Sequence, residues 1–182
     1  MGIRKKYIVI PVVILFLGAV TYAAFGFLPV LSVEGKRVSY GQFLKMYGAY
    51  QYYDKVAERE AAPNKELRKL VLQGFVEDIL LDKLIQKTNS DFDNQAKDLV
   101  ERAIADSKDL ALGEATKQLY GLSTADFKKL ILIPEAKKNL LAKHYEASPD
   151  ELERVWNEII QNADVKVYYP GYLWEQGMVK VK

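Results

Sequence analysis

The chain has 182 residues, with 26 Lys and Arg against 24 Asp and Glu, one histidine and no cysteine. Without cysteine there are no structural disulfides, no thiolate catalysis, no thiolate metal site and no lipid-modified cysteine. The near-balance of charge, with no basic stripe of the kind that neutralises phosphates, argues against nucleic acid as a partner, and the length allows one domain of ordinary size beside a membrane segment.

Arg4, Lys5 and Lys6 precede a charge-free run from Tyr7 to Val33, and the first acid is Glu34. The 22 residues from Tyr7 to Leu28, just before Pro29, would make about 33 Å of helix against a hydrocarbon core of about 30 Å. Backbone in lipid must satisfy its own hydrogen bonds, so the run predicts a membrane-spanning anchor over 7–28 that meets the lipid bilayer. Cations on one flank put residues 1–6 in the cytoplasm. The domain at 29–182 is then exported, to a periplasm or a cell surface. A cleaved secretory signal is the alternative, with Thr21-Tyr22-Ala23-Ala24 as the small-residue site, and it delivers the domain to the same side. Without Arg4, Lys5 and Lys6 the remaining chain carries 23 cations and 24 anions.

Past Pro29, the segment Leu31–Val33 reads as a strand. Val33-Glu34-Gly35-Lys36-Arg37-Val38 reads as strand, turn and strand, with Gly35 at a positive φ. Ser39 and Gln42 form a capping box, and the helix they open carries Phe43, Met46, Tyr47, Tyr50 and Tyr53 at helical spacing. Ala61-Ala62-Pro63-Asn64 ends it. A second helix over about 65–87 is apolar around most of its circumference, as a central helix packed on several sides should be. A third helical stretch starts near Asp93, with Ala96, Leu99, Val100, Ala103 and Leu110 as its stripe, and ends at Tyr120-Gly121. Ser123 or Thr124 caps the next helix, with Phe127, Leu130 and Ile131 inward, and Pro134 should kink it. Ser148-Pro149-Asp150-Glu151 starts a last helix with Leu152, Val155, Trp156, Ile159 and Ile160 on one face. Val165–Tyr168 alternates like a strand, and an antiparallel pairing with Leu31–Val33 would close the domain. The expected fold is therefore mainly α: a transmembrane helix, then a bundle of about five helices with short terminal β-strands.

The order of these parts resembles the chaperone module of SurA- and PrsA-type periplasmic or surface foldases. The resemblance is carried by Val33-Glu34-Gly35-Lys36-Arg37-Val38-Ser39 with Phe43 and by the leucine-rich second helix with Glu77 near its middle. Tyr120-Gly121-Leu122-Ser123 with Phe127 and Tyr145-Glu146-Ala147-Ser148-Pro149 complete it. Together these cover about 31–152 in order. Glu34 departs from the family's usual asparagine, which points to a different turn type. Past Leu152 the chain supplies one helix and a short tail to Lys182, so the resemblance implies a chaperone lacking the parvulin isomerase domain.

The residues themselves offer no catalytic, cofactor-binding or metal-binding set, and the chain is expected not to be an enzyme. His144 is a lone imidazole near a helix end, where a structural part suits it. Glu77 and Asp78 are adjacent and point about 100° apart on a helix, so they read as solvated or Lys-paired carboxylates. Ser39 and Ser123 are caps, and Gly113 and Gly121 are isolated. The aromatic residues stand out. Half of them suit a core, and Tyr47, Tyr50, Tyr53, Tyr172 and Trp174 are the candidates for an open groove that takes unfolded or nascent exported polypeptides. The expected function is an ATP-independent, membrane-anchored chaperone. The alternative is an assembly subunit for one membrane-protein partner, with Gly18, Ala19, Ala23 and Ala24 allowing close helix approach. A homo-oligomer is compatible with either.

Overall fold

The computed structural model describes residues 26–60, 62–106 and 110–182. Arg4, Lys5, Lys6 and nearly all of the anchor expected at 7–28 lie outside the described residues. Among the described residues no helix is long and apolar enough to cross a membrane.

The domain starts with a hairpin of β1 (Pro29–Val33) and β2 (Lys36–Ser39), joined by Glu34 and Gly35. Both turn residues have positive φ, 52° and 78°, the pattern of a type I′ turn, which suits the twist of paired strands. Glutamate is a poor residue for that conformation. The side chain is held in place. Lys83 sits 2.9 Å from its carboxylate, the Glu34 N–H donates to the Asp164 carbonyl at 2.9 Å, and the Asp164 N–H donates to Glu34 Oε1 at 3.1 Å. The hydrogen bond from Lys83 and the one from Asp164 hold the Glu34 carboxyl below the usual glutamate range.

Ser39 then caps α1 (Tyr40–Val56) with both bonds of the capping box in place. α2 (Asn64–Thr88) is the central helix. Its Leu67, Val71, Leu72, Phe75, Val76, Leu80, Leu81, Leu84 and Ile85 are all buried, and it touches α1 and β1 as well as the later helices and hairpin strand at Phe92–Asp106, Ile133–His144, Pro149–Gln161 and Met178–Val181. α3 (Phe92–Asp106) and α4 (Leu110–Tyr120) lie along the third helical stretch expected, and residues 107–109 between them lie outside the described residues. On α3, Phe92, Ala96 and Val100 are buried but Leu99 is exposed, so the inner stripe is narrower than its spacing suggested.

α5 (Thr124–Phe127) runs into a π-helical turn, Lys128–Leu132, and on into α6 (Ile133–His144). Where a kink was expected at Pro134, the helix carries this π-helical turn. Proline cannot donate to Leu130, and its ring crowds the preceding turn, so the turn widens by one residue; the Ile133 N–H donates to the Lys128 carbonyl across it. α7 (Pro149–Gln161) packs on α2. Ser148 stands at its N-cap but makes no side-chain cap bond; its carbonyl accepts from the Glu151 N–H instead.

The chain then returns to its start. β3 (Val165–Val167) pairs antiparallel with β1, Leu31 opposite Val167 and Val33 opposite Val165, which is the expected closure. β1 is thus the middle strand of a three-stranded sheet. A second hairpin, β4 (Tyr172–Glu175) and β5 (Met178–Val181), was not foreseen. Its Gln176-Gly177 turn repeats the positive-φ pair of the first, and its Tyr172 and Val179 are buried over α2. The core joins β1, α2, Phe43, Leu141, Ile159 and this hairpin.

Candidate functional site

α1, α2, α4 and the π-helical turn leave a cleft of about 300 Å³ between them. Its lining is mainly apolar: Met46, Ala49, Tyr50 and Tyr53 from α1, Leu70, Val71, Gly74 and Phe75 from α2, Tyr120 from α4, then Leu130, Ile131 and Pro134. The charged residues in it are Asp78, Glu135 and Lys138.

The aromatic wall is built by stacking across distant segments. Tyr53 lies flat on Tyr120 with ring centres 5.1 Å apart, Tyr120 leans on Phe127 at 5.0 Å, and the Arg59 guanidinium sits 5.2 Å from the Tyr53 ring centre. Offset stacks of this kind stabilise by about 1 kcal/mol beyond the area they bury, and they hold the rings in place. Leu70 at 53% exposure and Tyr50 at 39% stand open to solvent at the cleft. Gly74 adds room, because a Cβ there would meet nothing within 4 Å.

Of the five aromatic residues singled out from sequence, the structure brings Tyr50 and Tyr53 together in this cleft and places the other three elsewhere. Tyr47 stacks on Phe43 at 5.8 Å, and its hydroxyl donates to Asn64 Oδ1 at 3.0 Å. Tyr172 is buried, with its hydroxyl donating to the Lys65 carbonyl at 2.9 Å. Trp174 is half-buried in β4 and packs against the core. The C-terminal aromatics are spent on laying the second hairpin onto α2.

Sequence reasoning passed over Leu70 and Gly74, took Tyr120 only as a helix end, and read Asp78 as a solvated or Lys-paired carboxylate. The signal for Asp78 was there: it continues the stripe Val71, Gly74, Phe75 at helical spacing, so an acid occupies a position on an apolar face. Glu77 and Asp78 do diverge. Glu77 accepts from Gln73 Nε2 at 2.8 Å, and the other end of that amide accepts the Val179 N–H at 2.8 Å, tying α2 to β5. Asp78 accepts no hydrogen bond and forms no ion pair among the described residues. Lys138 is near it but gives its ammonium to Glu135 at 2.9 Å. Burial pushes the Asp78 carboxyl up to about 6, against the pull of Lys138.

A charged node braces the helices behind the cleft. Lys137 of α6 is buried between Asp82 of α2 at 2.8 Å and Asp93 of α3 at 2.5 Å. Burial opposes its charge, but the hydrogen bonds to the two carboxylates outweigh that and hold its pKa above the ordinary lysine value. His144, in the last turn of α6, meets Phe92 and Tyr145 edge-on. Among the described residues no group of three or more His, Asp and Glu is placed to hold a metal ion. Comparisons with protein-family models, curated proteins and solved structures return no match for this chain.

Proposed function

We propose that this chain is a membrane-anchored, extracytoplasmic chaperone that binds unfolded or nascent exported polypeptides without ATP. The observation that carries the reading is the apolar cleft with Leu70 and Tyr50 exposed beside it. Leaving large apolar side chains in water is unfavourable, and covering one fully contributes about 1.5–3 kcal/mol. A cleft of this volume, at the low end of the range of about 300–1,000 Å³ for ligand sites, takes one or two side chains of an extended segment. Such contacts are weak singly. An anchor over 7–28 would hold the domain where exported chains emerge and raise its effective concentration for them, so weak contacts suffice. Release follows when the client buries its own apolar surface. The resemblance to the SurA and PrsA chaperone module supports the same reading.

The test uses the full-length protein in lipid nanodiscs. At near-stoichiometric ratio it should slow light scattering by an aggregating exported protein, and the double variant Tyr50→Ser, Leu70→Ser should lose most of that effect. Folded wild-type protein that leaves the scattering unchanged would sink the proposal. If crosslinking in cells instead recovers one folded membrane protein in fixed ratio, the dedicated assembly subunit becomes the better reading.

A further inference from the structure

We infer that the cleft selects apolar segments that carry a lysine or arginine, whose cation pairs with Asp78 inside it. The inference rests on the client-binding reading above and adds a charge rule to it. Most carboxylates near the cleft are occupied. Glu135 holds Lys138 at 2.9 Å, Glu77 accepts from Gln73, and Asp82 is shared by Lys137 at 2.8 Å and Lys36 at 3.5 Å. Asp78 alone among these has no such partner among the described residues, and it is half-buried amid apolar lining. A carboxylate poorly served by water gains more from an arriving cation than an exposed one does, because the local dielectric is low. Within the cleft the groups that face it are Tyr50 from α1, Glu135 and Lys138 from α6, and Glu77 and Asp82 from its own helix; on the far side Asp78 also borders a second cavity lined by Lys36, Arg37, Lys97, Lys129 and Lys137, of which Lys36 and Lys137 are held by Asp82 and Lys97 by Asp93. The cleft side of that set holds three acids and one already-bonded lysine. A guest ammonium or guanidinium is therefore complementary to the site, and a guest carboxylate is not. Burial raises the Asp78 carboxyl to about 6, so the preference should fade as the pH falls through that value while purely apolar binding persists.

The experiment measures fluorescence anisotropy of short peptides with full-length protein in nanodiscs of zwitterionic lipid. Three peptides share the same leucine and phenylalanine flanks and differ at one central residue: lysine, norleucine or glutamate. At pH 7.5 the lysine peptide should bind about tenfold tighter than the norleucine peptide, with the glutamate peptide weakest. Asp78→Asn, nearly isosteric, should bring lysine and norleucine level, and so should lowering the pH to 5 with wild-type protein. Equal binding of lysine and norleucine peptides at pH 7.5 overturns the charge rule and leaves the chaperone reading standing, as does a preference that survives Asp78→Asn. Failure of all three peptides to bind overturns both.

Discussion

At the scale of single residues, Asp78 is where folding and the proposed activity pull in opposite directions. Its carboxyl rises from 3.8 to about 6 chiefly because burial disfavours the charge. The folded chain keeps the proton longer than the unfolded chain. The fold therefore carries no penalty from this group below about pH 3, accumulates one as the pH rises from about 4 to 6, and bears it in full above that. A shift of that size corresponds to about 3 kcal/mol, and partial solvation through the open cleft reduces it to about 1–2 kcal/mol. Asp78→Asn should accordingly raise the melting temperature by about 3–8 °C at pH 7.5 and by almost nothing at pH 3. Calorimetry at the two pH values checks this, and equal gains at both would mean that ionisation is not the cause. An acid that weakens the fold at neutral pH is the pattern expected of a group kept for binding. Its position in an apolar helical stripe was legible in the sequence. Its lack of a partner was not, because that depends on Lys138 turning to Glu135.

At the scale of elements, helix starts were the most legible feature, because cap chemistry is local. Ser39 with Gln42 and Ser123 with Asp126 make the bonds their spacing implies. Hairpins were less so. The β1–β2 turn showed itself through Gly35, but the hairpin around Gln176-Gly177 was not read from the sequence. The packing explains why glycine is needed at that turn. Gly177 has φ of 78°, and a Cβ there would lie 2.5 Å from Ile160 Cγ2 on α7. Gly171, with φ of 83°, has nothing within 4 Å. Gly171→Ala should therefore cost about 1 kcal/mol, the left-handed backbone penalty alone. Gly177→Ala should cost about 2–3 kcal/mol, since Ile160 must also move. Urea unfolding of the two variants separates the terms, and equal losses would mean that the hairpin turn does not press on α7.

At the scale of the whole molecule, the domain is closed by joining its two ends. β1 pairs with both β2 and β3, so the strand nearest the expected anchor is also the one that receives the returning chain. Apolar alternation at both ends was enough to foresee that pairing, because strands with one buried face have few registers that keep it buried. The cleft was not foreseeable in the same way. Tyr53 reaches Tyr120 only through the relative placement of α1 and α4, and helical spacing within one element does not encode where another will lie. The C-terminal hairpin serves as cover: Tyr172 and Val179 are 4% and 0% exposed, and Val179 is bonded through its N–H to Gln73. Two side chains so buried contribute about 4 kcal/mol together, a large part of the roughly 5–15 kcal/mol that holds a typical domain. Truncation after Val167, which leaves β3 in place and removes the β4–β5 hairpin, should lower the melting temperature by about 10–15 °C and open α2 to protease. Circular dichroism melts with limited proteolysis make the measurement. A truncated chain that melts within a few degrees of the intact one and resists cleavage would mean that α2 does not depend on the hairpin for its cover.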